Sequence, residues 1–278
     1  MPTNGPPERL APSDTRDNVA LARAVGWHDV ESDWRVVHEA AVVLGVRIDG
    51  CLIAQGALGL YGEAGTIAKM IVAPAFQRRG IGERVFDALL AEADARSVRA
   101  LGLVATVFGR PLYERRQFTP AGDVVTLMGA PVAADSNDPT VPLQDADAAI
   151  HAERPWIRCP REKMLRARFR EAIATSSLEG PDGATRGYAM ATAQGQYAQV
   201  GPVVAERQDD ACALTHSVFC AVGGPVRIDV PAEQEAFRLW LRGLGLREQA
   251  VRTEMARSTT RLPWQVPQRF ALAAQAWG

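Results

Sequence analysis

Two glycines at a predicted strand-to-helix turn, Gly80 and Gly82, are the residues of this sequence best suited to binding chemistry. They lie in the run QRRGIG at positions 77–82, where little side chain separates a ligand from the backbone. A helix that begins at this turn leaves its first N–H groups unpaired and points the positive end of its dipole at the turn. The spacing therefore predicts a binding site for phosphate oxygens.

The pattern of apolar residues predicts the elements that position this turn. Residues 67–72 form an apolar run typical of a buried strand, and Pro74 follows in a loop. After the turn, one face of a long helix is apolar, at Ile81, Val85, Phe86, Leu89 and Leu90. The patterns of the P-loop and of dinucleotide-binding folds are both missing from the sequence. An ordinary turn with a glycine cap is the alternative to a phosphate site.

The turn and its surroundings resemble the acyl-CoA-binding motif of the GNAT superfamily of N-acyltransferases. That motif follows a strand and has the pattern Q/R-x-x-G-x-G/A, which Gln77, Gly80 and Gly82 fill here. The resemblance extends over about residues 14–130. It implies an N-acetyltransferase that transfers an acetyl group from acetyl-CoA to a primary amine by direct attack.

The resemblance also implies which residues bind acetyl-CoA. Backbone groups of Met70, Ile71 and Val72 would contact the pantetheine arm and the thioester. The pyrophosphate would be bound by the turn, which comprises Gln77, Arg78, Arg79, Gly80, Ile81 and Gly82. Thr106 stands where many relatives carry an Asn that touches the CoA arm, so its role here is an open question.

The family position of Tyr113, in the run Leu-Tyr-Glu, implies that it is the catalytic general acid. A phenol with a pKa of about 10 is protonated at neutral pH and can donate to the departing thiolate. The alternative is that Tyr113 only packs beside Phe118, which fits the aromatic of a family Gly-Phe pair although Gln117 replaces the glycine.

No general base can be assigned from the sequence. Some relatives carry a glutamate on the central strand, but the positions near Thr66 and Ala68 hold no carboxylate. A water chain is one alternative. The side-chain candidates, each dependent on the fold, are His28, His38, Glu39 and Glu63.

Two residues are candidates for contacting the acceptor substrate, Trp27 and Asp229. Trp27 lies where the family places the helices that wall the acceptor side, and core packing is its alternative role. The acidic residues at 29, 31 and 33 are expected on a solvated face or at a helix cap. Asp229, before Pro231, either touches the substrate or caps the next helix.

The order of predicted elements indicates an α/β fold (α+β, mixed sheet) with two GNAT-like domains in tandem. Residues 1–13 form a flexible leader, 14–130 the CoA-binding domain, 131–143 a linker and 144–258 a degenerate second domain. Asp49-Gly50 predicts a hairpin in the first domain, and residues 118–129 are expected to form paired strands. The aromatic tail, 259–278, is expected to pack on the domain interface.

Composition limits the partners. A net charge of −1 argues against a nucleic-acid footprint, and no apolar run is long enough to span a membrane. Without a secretory signal pattern, a cytoplasmic location is expected, with buried free thiols at Cys51, Cys159, Cys212 and Cys220. No metal is predicted, because the histidines and cysteines show no ligand spacing. Monomer and homodimer both remain open.

Two functions are compatible with these observations. One is an acetyltransferase for a small-molecule or peptide amine, with acetyl-CoA as donor. The other is a non-catalytic acyl-CoA-binding or regulatory protein, in which the missing base reflects lost catalysis.

Overall fold

The computed structural model describes residues 5–132, 139–181, 183–258 and 260–278. Within these ranges the strands form one 12-stranded mixed sheet with helices packed against it. The predicted leader and linker are described only in part, since residues 1–4 and 133–138 lie outside these ranges. None of the described helices is both long and apolar enough to cross a membrane.

The first half of the chain forms strands β1 to β6 and helices α1 to α4. The strands are Glu8–Arg9, Ala41–Ile48, Cys51–Tyr61, Ala64–Val72, Ala100–Ala105 and Thr119–Gly129. The helices are Thr15–Ala24, Glu31–Ala40, Ile81–Ala95 and Arg110–Glu114, with short 3-10 turns at Pro12–Asp14 and Pro74–Phe76. The predicted hairpin joins β2 and β3, and both turn residues have positive φ, 49° at Asp49 and 80° at Gly50, as a type I′ turn requires.

The second half repeats this order. Helices α5 and α6 come first, at Ala146–Glu153 and Glu162–Arg170. The remaining helices, α7 and α8, are Gln208–Val222 and Glu235–Gly243. Strands β7 to β12 are Ala172–Glu179, Thr185–Gln194, Tyr197–Ala205, Val226–Pro231, Arg247–Arg257 and Arg269–Ala271.

The two halves exchange strands at the centre of the sheet. The strand order is β1-β2-β3-β4-β5-β11-β6-β10-β9-β8-β7, with β12 paired to β9. Strand β11 of the second half therefore lies between β5 and β6, and β6 of the first half lies between β11 and β10. The prediction of paired strands within residues 118–129 is wrong. That segment is one strand, Thr119–Gly129, because both its partners come from the other half.

Strands β4 and β9, at equivalent places in the two halves, carry the same irregularity. In β4, Lys69 and Met70 together stand opposite one residue of β3, and in β9, Gly201 and Pro202 stand opposite one residue of β8. Such bulges bend a strand and increase its local twist. Both bulged strands pair with a parallel neighbour over only three residues, β4 with β5 and β9 with β10. Beyond those residues each pair separates and leaves a cleft.

Packing of the helices fixes the geometry of these clefts. On α3, Val85, Phe86 and Leu89 are fully buried against the strands of the first half, and burial of such side chains contributes about 1.5–3 kcal/mol each. Helix α7 packs on the second half in the same way. Helices α2, α5 and α6 share a third core with the C-terminal tail. This shared core joins the two halves.

The tail, residues 260–278, is anchored by buried polar contacts. The Trp264 indole N–H donates to Glu254 at 3.1 Å, and the Tyr61 hydroxyl donates to the carbonyl of Trp277 at 3.1 Å. Arg161 forms a buried ion pair with Glu153 at 2.6 Å. The aromatic residues of the tail are therefore part of the core.

The four cysteines are free thiols, but the expectation that they are buried is wrong. Cys51 and Cys220 are exposed, and Cys159 and Cys212 are partly exposed. Both Cys212 and Cys220 lie on α7, eight positions apart along the helix.

Candidate functional site

The cleft between β4 and β5 opens into a cavity beyond the parallel pairing of the two strands. The parallel register runs only from Ala64 to Thr66 on β4, so the edge of β4 from Ile67 onward faces the cavity. Lys69, at the bulge, has φ 55°, and its side chain borders the same space. The cavity has a volume of about 270 Å³. It is lined by both halves, including Trp27, His28, Asp29, Lys69, Thr106, Tyr197, Arg227, Asp229, Arg252 and Gln275.

The predicted phosphate turn leads directly from β4 into the N-terminus of α3. Gly80 is the N-cap, with φ 74°, a left-handed conformation that favours glycine. The first turn of α3 has no side-chain cap, which leaves its N–H groups available to a ligand. Gln77 donates its side-chain amide to the carbonyl of Val72 at 3.0 Å, so it holds the turn against the end of β4. The side chains of Arg78 and Arg79 are exposed.

The two glycines meet different constraints. A Cβ atom at Gly80 would point into open space, so glycine is needed there for its φ and not for room. At Gly82, inside the first turn of α3, a Cβ would lie 3.2 Å from a methyl of Val72. A larger side chain at Gly82 would therefore press against the end of β4, beside the path that the resemblance assigns to the pantetheine arm.

The other predicted donor-binding residues lie along the same path. Met70 and Val72 are partly buried, Ile71 is buried, and all three stand at the end of β4 beside the cleft. Thr106 follows β5 and borders the cavity. Its hydroxyl oxygen accepts from the N–H of Gly109 at 3.1 Å, so Thr106 also holds the start of α4.

Tyr113 lies on α4, 7% exposed, and does not border this cavity. Its ring packs on Phe86 and Phe118, at centroid distances of 5.0 and 6.4 Å. Burial raises the pKa of Tyr113 to about 12. The hydroxyl makes no hydrogen bond to any described residue, which leaves it free to donate to a ligand.

The first half contributes a buried ion pair to the cavity wall. Lys69 Nζ lies 2.7 Å from Asp29, whose carboxylate also accepts from the indole N–H of Trp34 at 3.1 Å. The ammonium is 5.9 Å from the ring centroid of Trp27 and 5.6 Å from that of Trp34, within reach of cation–π attraction. The expectation of a solvated or capping Asp29 is wrong, because Asp29 is 4% exposed and paired with Lys69.

Asp33, in contrast, fits the predicted cap. Its carboxylate accepts from the N–H of Val30 at the start of α2. Burial raises the pKa of Asp33, and the nearby charge of Lys69 opposes that change.

The second half contributes a hydrogen-bonded network centred on Asp229. This carboxylate is fully buried and accepts from Thr126 at 2.6 Å, Gln275 at 2.9 Å, Arg227 at 3.1 Å and Gln199 at 3.2 Å. The helix-cap alternative for Asp229 is wrong, because α8 begins only at Glu235. Asp229 instead orients the side chains that face the cavity.

Two arginines of the second half also border the cavity. Burial lowers the pKa of Arg227, but the charge and hydrogen bond of Asp229, together with those of Tyr197, outweigh it, so the net shift is upward. The Nε of Arg227 is buried without a hydrogen-bond partner in the described part of the chain. Arg252 lies on β11 and is partly buried. Its side chain has neither an ion pair nor a hydrogen bond to a described residue.

The fold separates the four candidates for general base. His28 borders the cavity, where it is exposed. His38 does not border the cavity. Its Nε2 lies 2.9 Å from Oδ1 of Asn18, and burial lowers the pKa of His38. Glu39 pairs with Arg170 on the surface, and Glu63 is exposed beyond β3. Across the described ranges, no three potential metal-ligating side chains cluster.

The corresponding cleft of the second half is filled by the chain itself. Strand β12 pairs with β9 at the position where β9 and β10 separate, and the N–H of Leu272 donates to the carbonyl of Asp229 at 2.9 Å. A Cβ atom added to Gly201 would lie 1.8 Å from the carbonyl oxygen of Leu272. The turn that leads into α7 also lacks glycine and carries Asp209 and Asp210 in the first helical turn.

Comparison with known proteins matches both halves to one family. The model described as acetyltransferase (GNAT) family matches residues 13–118, and the model described as acetyltransferase (GNAT) domain matches residues 152–271. The chain belongs to the GNAT acetyltransferase family. It contains two GNAT domains in tandem.

Relatives support the tandem arrangement over most of the chain. The uncharacterized N-acetyltransferase YitH of Bacillus subtilis (strain 168) is 26% identical over 225 residues, which are 77% of each protein. An acetyltransferase candidate from Pyrococcus horikoshii has a TM-score of 0.81 at 20% identity, over 98% of this chain and 95% of that one. A tandem GNAT protein from the clavulanic acid biosynthesis pathway has a TM-score of 0.64 at 13% identity, over 90% and 97%.

The residues that the sequence did not predict come mainly from the second half. Arg227, Arg252 and Gln275 carry no local motif. The strands of Arg227 and Arg252 reach the cavity through the exchange of β6 and β11, and Gln275 comes from the C-terminal tail. Lys69 had a detectable signal, since a lysine inside an apolar strand needs a partner. Only the structure identified this partner as Asp29.

Proposed function

We propose that this protein transfers an acetyl group from acetyl-CoA to the primary amine of a small molecule. The observation that carries the proposal is the open β4–β5 cleft, with an uncapped helix N-terminus at one end and a polar cavity at the other. Its counterpart in the second half is filled by β12, so one cleft per chain is available to the donor.

The residues around the cleft fit an acyl-CoA. Gly80 and the uncapped first turn of α3 would hold the pyrophosphate, and the exposed Arg78 and Arg79 add positive charge. The end of β4, from Met70 to Val72, would bind the pantetheine arm through its backbone. Acetyl-CoA supplies an activated thioester, and these residues would place its carbonyl at the cavity.

Proton transfers complete the proposed reaction. The acceptor ammonium must lose a proton before its nitrogen can attack, and His28, at the edge of the cavity, or water would take it. As the carbon–sulfur bond breaks, the Tyr113 hydroxyl would donate its proton to the thiolate. The attacking nitrogen loses its second proton as the amide forms, and this proton would return through water to the Tyr113 phenolate. The products would be an N-acetyl amine and free CoA thiol.

The acceptor side is formed by both domains. Trp27 and the Asp29–Lys69 pair would contact it from the first domain, and the network around Asp229 from the second. A cavity of about 270 Å³ suits a small molecule or the end of a peptide. We assign residues 14–130 and 144–258 to the two domains and expect the protein to act in the cytoplasm.

Release of CoA thiol from acetyl-CoA over a panel of primary amines tests this function. We expect saturable turnover on at least one amine and an acetylated product of matching mass. Saturable CoA binding without turnover on any amine would instead favour the non-catalytic acyl-CoA-binding alternative. A protein with no CoA affinity would contradict both functions.

A further inference from the structure

We propose that the acceptor amine carries an anionic group, a carboxylate or a phosphate, and that Arg252 binds it. This inference rests on the proposed function, because it names the class of amine that the same cavity accepts. It is carried by the charges that line the cavity and by which of them are already paired.

Four of the charged side chains that border the cavity form two ion pairs within the protein. Lys69 pairs with Asp29 at 2.7 Å, and Arg227 pairs with Asp229 at 3.1 Å. Arg252 has no such partner within the described residues, although its side chain is partly buried. A guanidinium that is partly removed from water without a carboxylate leaves its donors to be satisfied by a ligand.

Arg252 stands where a bound acceptor could reach it. On β11, the next residue, Thr253, pairs with Ala105 at the end of β5, so Arg252 lies beside Thr106 at the mouth of the cleft. The planar guanidinium presents paired N–H donors that match the oxygens of a carboxylate or phosphate.

A second unsatisfied donor belongs to another residue that borders the cavity. Nε of Arg227 is buried and has no hydrogen-bond partner in the described part of the chain. Its ion pair with Asp229 uses another nitrogen, Nη2. The wall contributed by the second domain therefore contains two arginines with donors left for a ligand, Arg227 and Arg252, beside one buried acceptor without a partner in the described residues, Oε1 of Gln194.

The test compares matched amines on the parent enzyme and on Arg252→Gln. The panel contains L-amino acids and ω-amino acids beside their primary amides, and phosphoethanolamine beside ethanolamine. We expect the parent to prefer the anionic member of a pair and Arg252→Gln to raise its KM about 10- to 100-fold, the effect of losing a charged hydrogen-bonded contact. The KM for acetyl-CoA should stay within about twofold, and Arg252→Lys should recover part of the loss.

Arg247→Gln is the matched control, since Arg247 lies on the same strand, is exposed and does not border the cavity. It should leave every KM near the parent value. Turnover of neutral amines as efficiently as anionic ones, or a rise in the KM for acetyl-CoA alone, would overturn the proposal. The amino-acid and phosphoethanolamine arms separate carboxylate from phosphate.

Failure of the proposed function gives a different result. If no amine releases thiol, calorimetry with the same panel in the presence of CoA still measures binding. Anion-dependent binding that Arg252→Gln removes would then support the anion site without the activity. Absence of binding by both proteins would contradict the site as well.

Discussion

At the residue scale, burial determines the protonation state of the Tyr113 hydroxyl. Packing on Phe86 and Phe118 raises its pKa to about 12, so the phenol stays protonated throughout the neutral range. If Tyr113 is the acid, Tyr113→Phe should lower turnover by roughly 10²-fold or more. The affinity for acetyl-CoA should change little, because the ring and its packing are retained. Steady-state kinetics with calorimetry on the same variant measures both.

Turnover of Tyr113→Phe near the parent rate would contradict the acid role and make Tyr113 a packing residue. The pH–rate profile gives a second check. A general acid is active while protonated, so ionisation of a group with a pKa of about 12 cannot cause a loss of activity below about pH 10. An alkaline loss below that pH would have to come from another group.

The prediction for the proposed donor cleft concerns Gly82. In Gly82→Val the side chain would press on Val72 and block the approach of a phosphate to the first turn of α3. We expect the affinity for acetyl-CoA to fall by more than about tenfold, or about 1.4 kcal/mol. Calorimetric titration measures it, and circular dichroism checks the fold. Gly82→Ala, which the family motif permits, is the control and should bind nearly as well as the parent.

At the scale of elements, β12 is the basis for expecting one acyl-CoA site per chain. This strand occupies the place in the second domain where β9 and β10 separate. Asp209 and Asp210 also oppose an anion at the N-terminus of α7, because acids there already satisfy the helix dipole. We expect calorimetry with acetyl-CoA to give one site per chain. Two sites of similar affinity would contradict the degenerate second domain.

The tail that contains β12 also supplies Gln275 to the acceptor cavity. Gly201→Ala should displace this tail, since the added Cβ would lie 1.8 Å from the carbonyl oxygen of Leu272. Overpacking of this kind costs about 1–3 kcal/mol. We expect a lower melting temperature and a higher KM for the acceptor, with the acetyl-CoA affinity retained. Gly243→Ala, at an open position on α8, is the control, and equal effects of both variants would contradict the prediction.

At the scale of the whole molecule, the exchange of β6 and β11 makes each domain depend on the other. Without β11, strands β5 and β6 would face each other across an empty strand position. We therefore expect a single cooperative unfolding transition in calorimetry. A fragment of residues 1–143 should lack native circular dichroism until the remainder of the chain is added. Two resolved transitions, or a folded fragment that binds acetyl-CoA, would contradict this dependence.

The local sequence was sufficient to predict the features that depend only on neighbouring residues. The glycine turn, the apolar face of α3 and the hairpin at Asp49-Gly50 each follow from backbone freedom or periodicity within a few residues. The repeated order of elements and the family motif also indicated a tandem GNAT protein, and the family models support it. These features carry their own physical signal along the chain.

Only the tertiary structure decided what surrounds the acceptor. Strand periodicity shows which side chains share a face but not which strand lies next to it, so residues 118–129 were expected to pair among themselves. In the same way, the sequence could not join Lys69 to Asp29, forty positions away, or bring Arg252 beside Thr106. Such contacts depend on how distant segments fill one sheet and one core, and no local pattern encodes that choice.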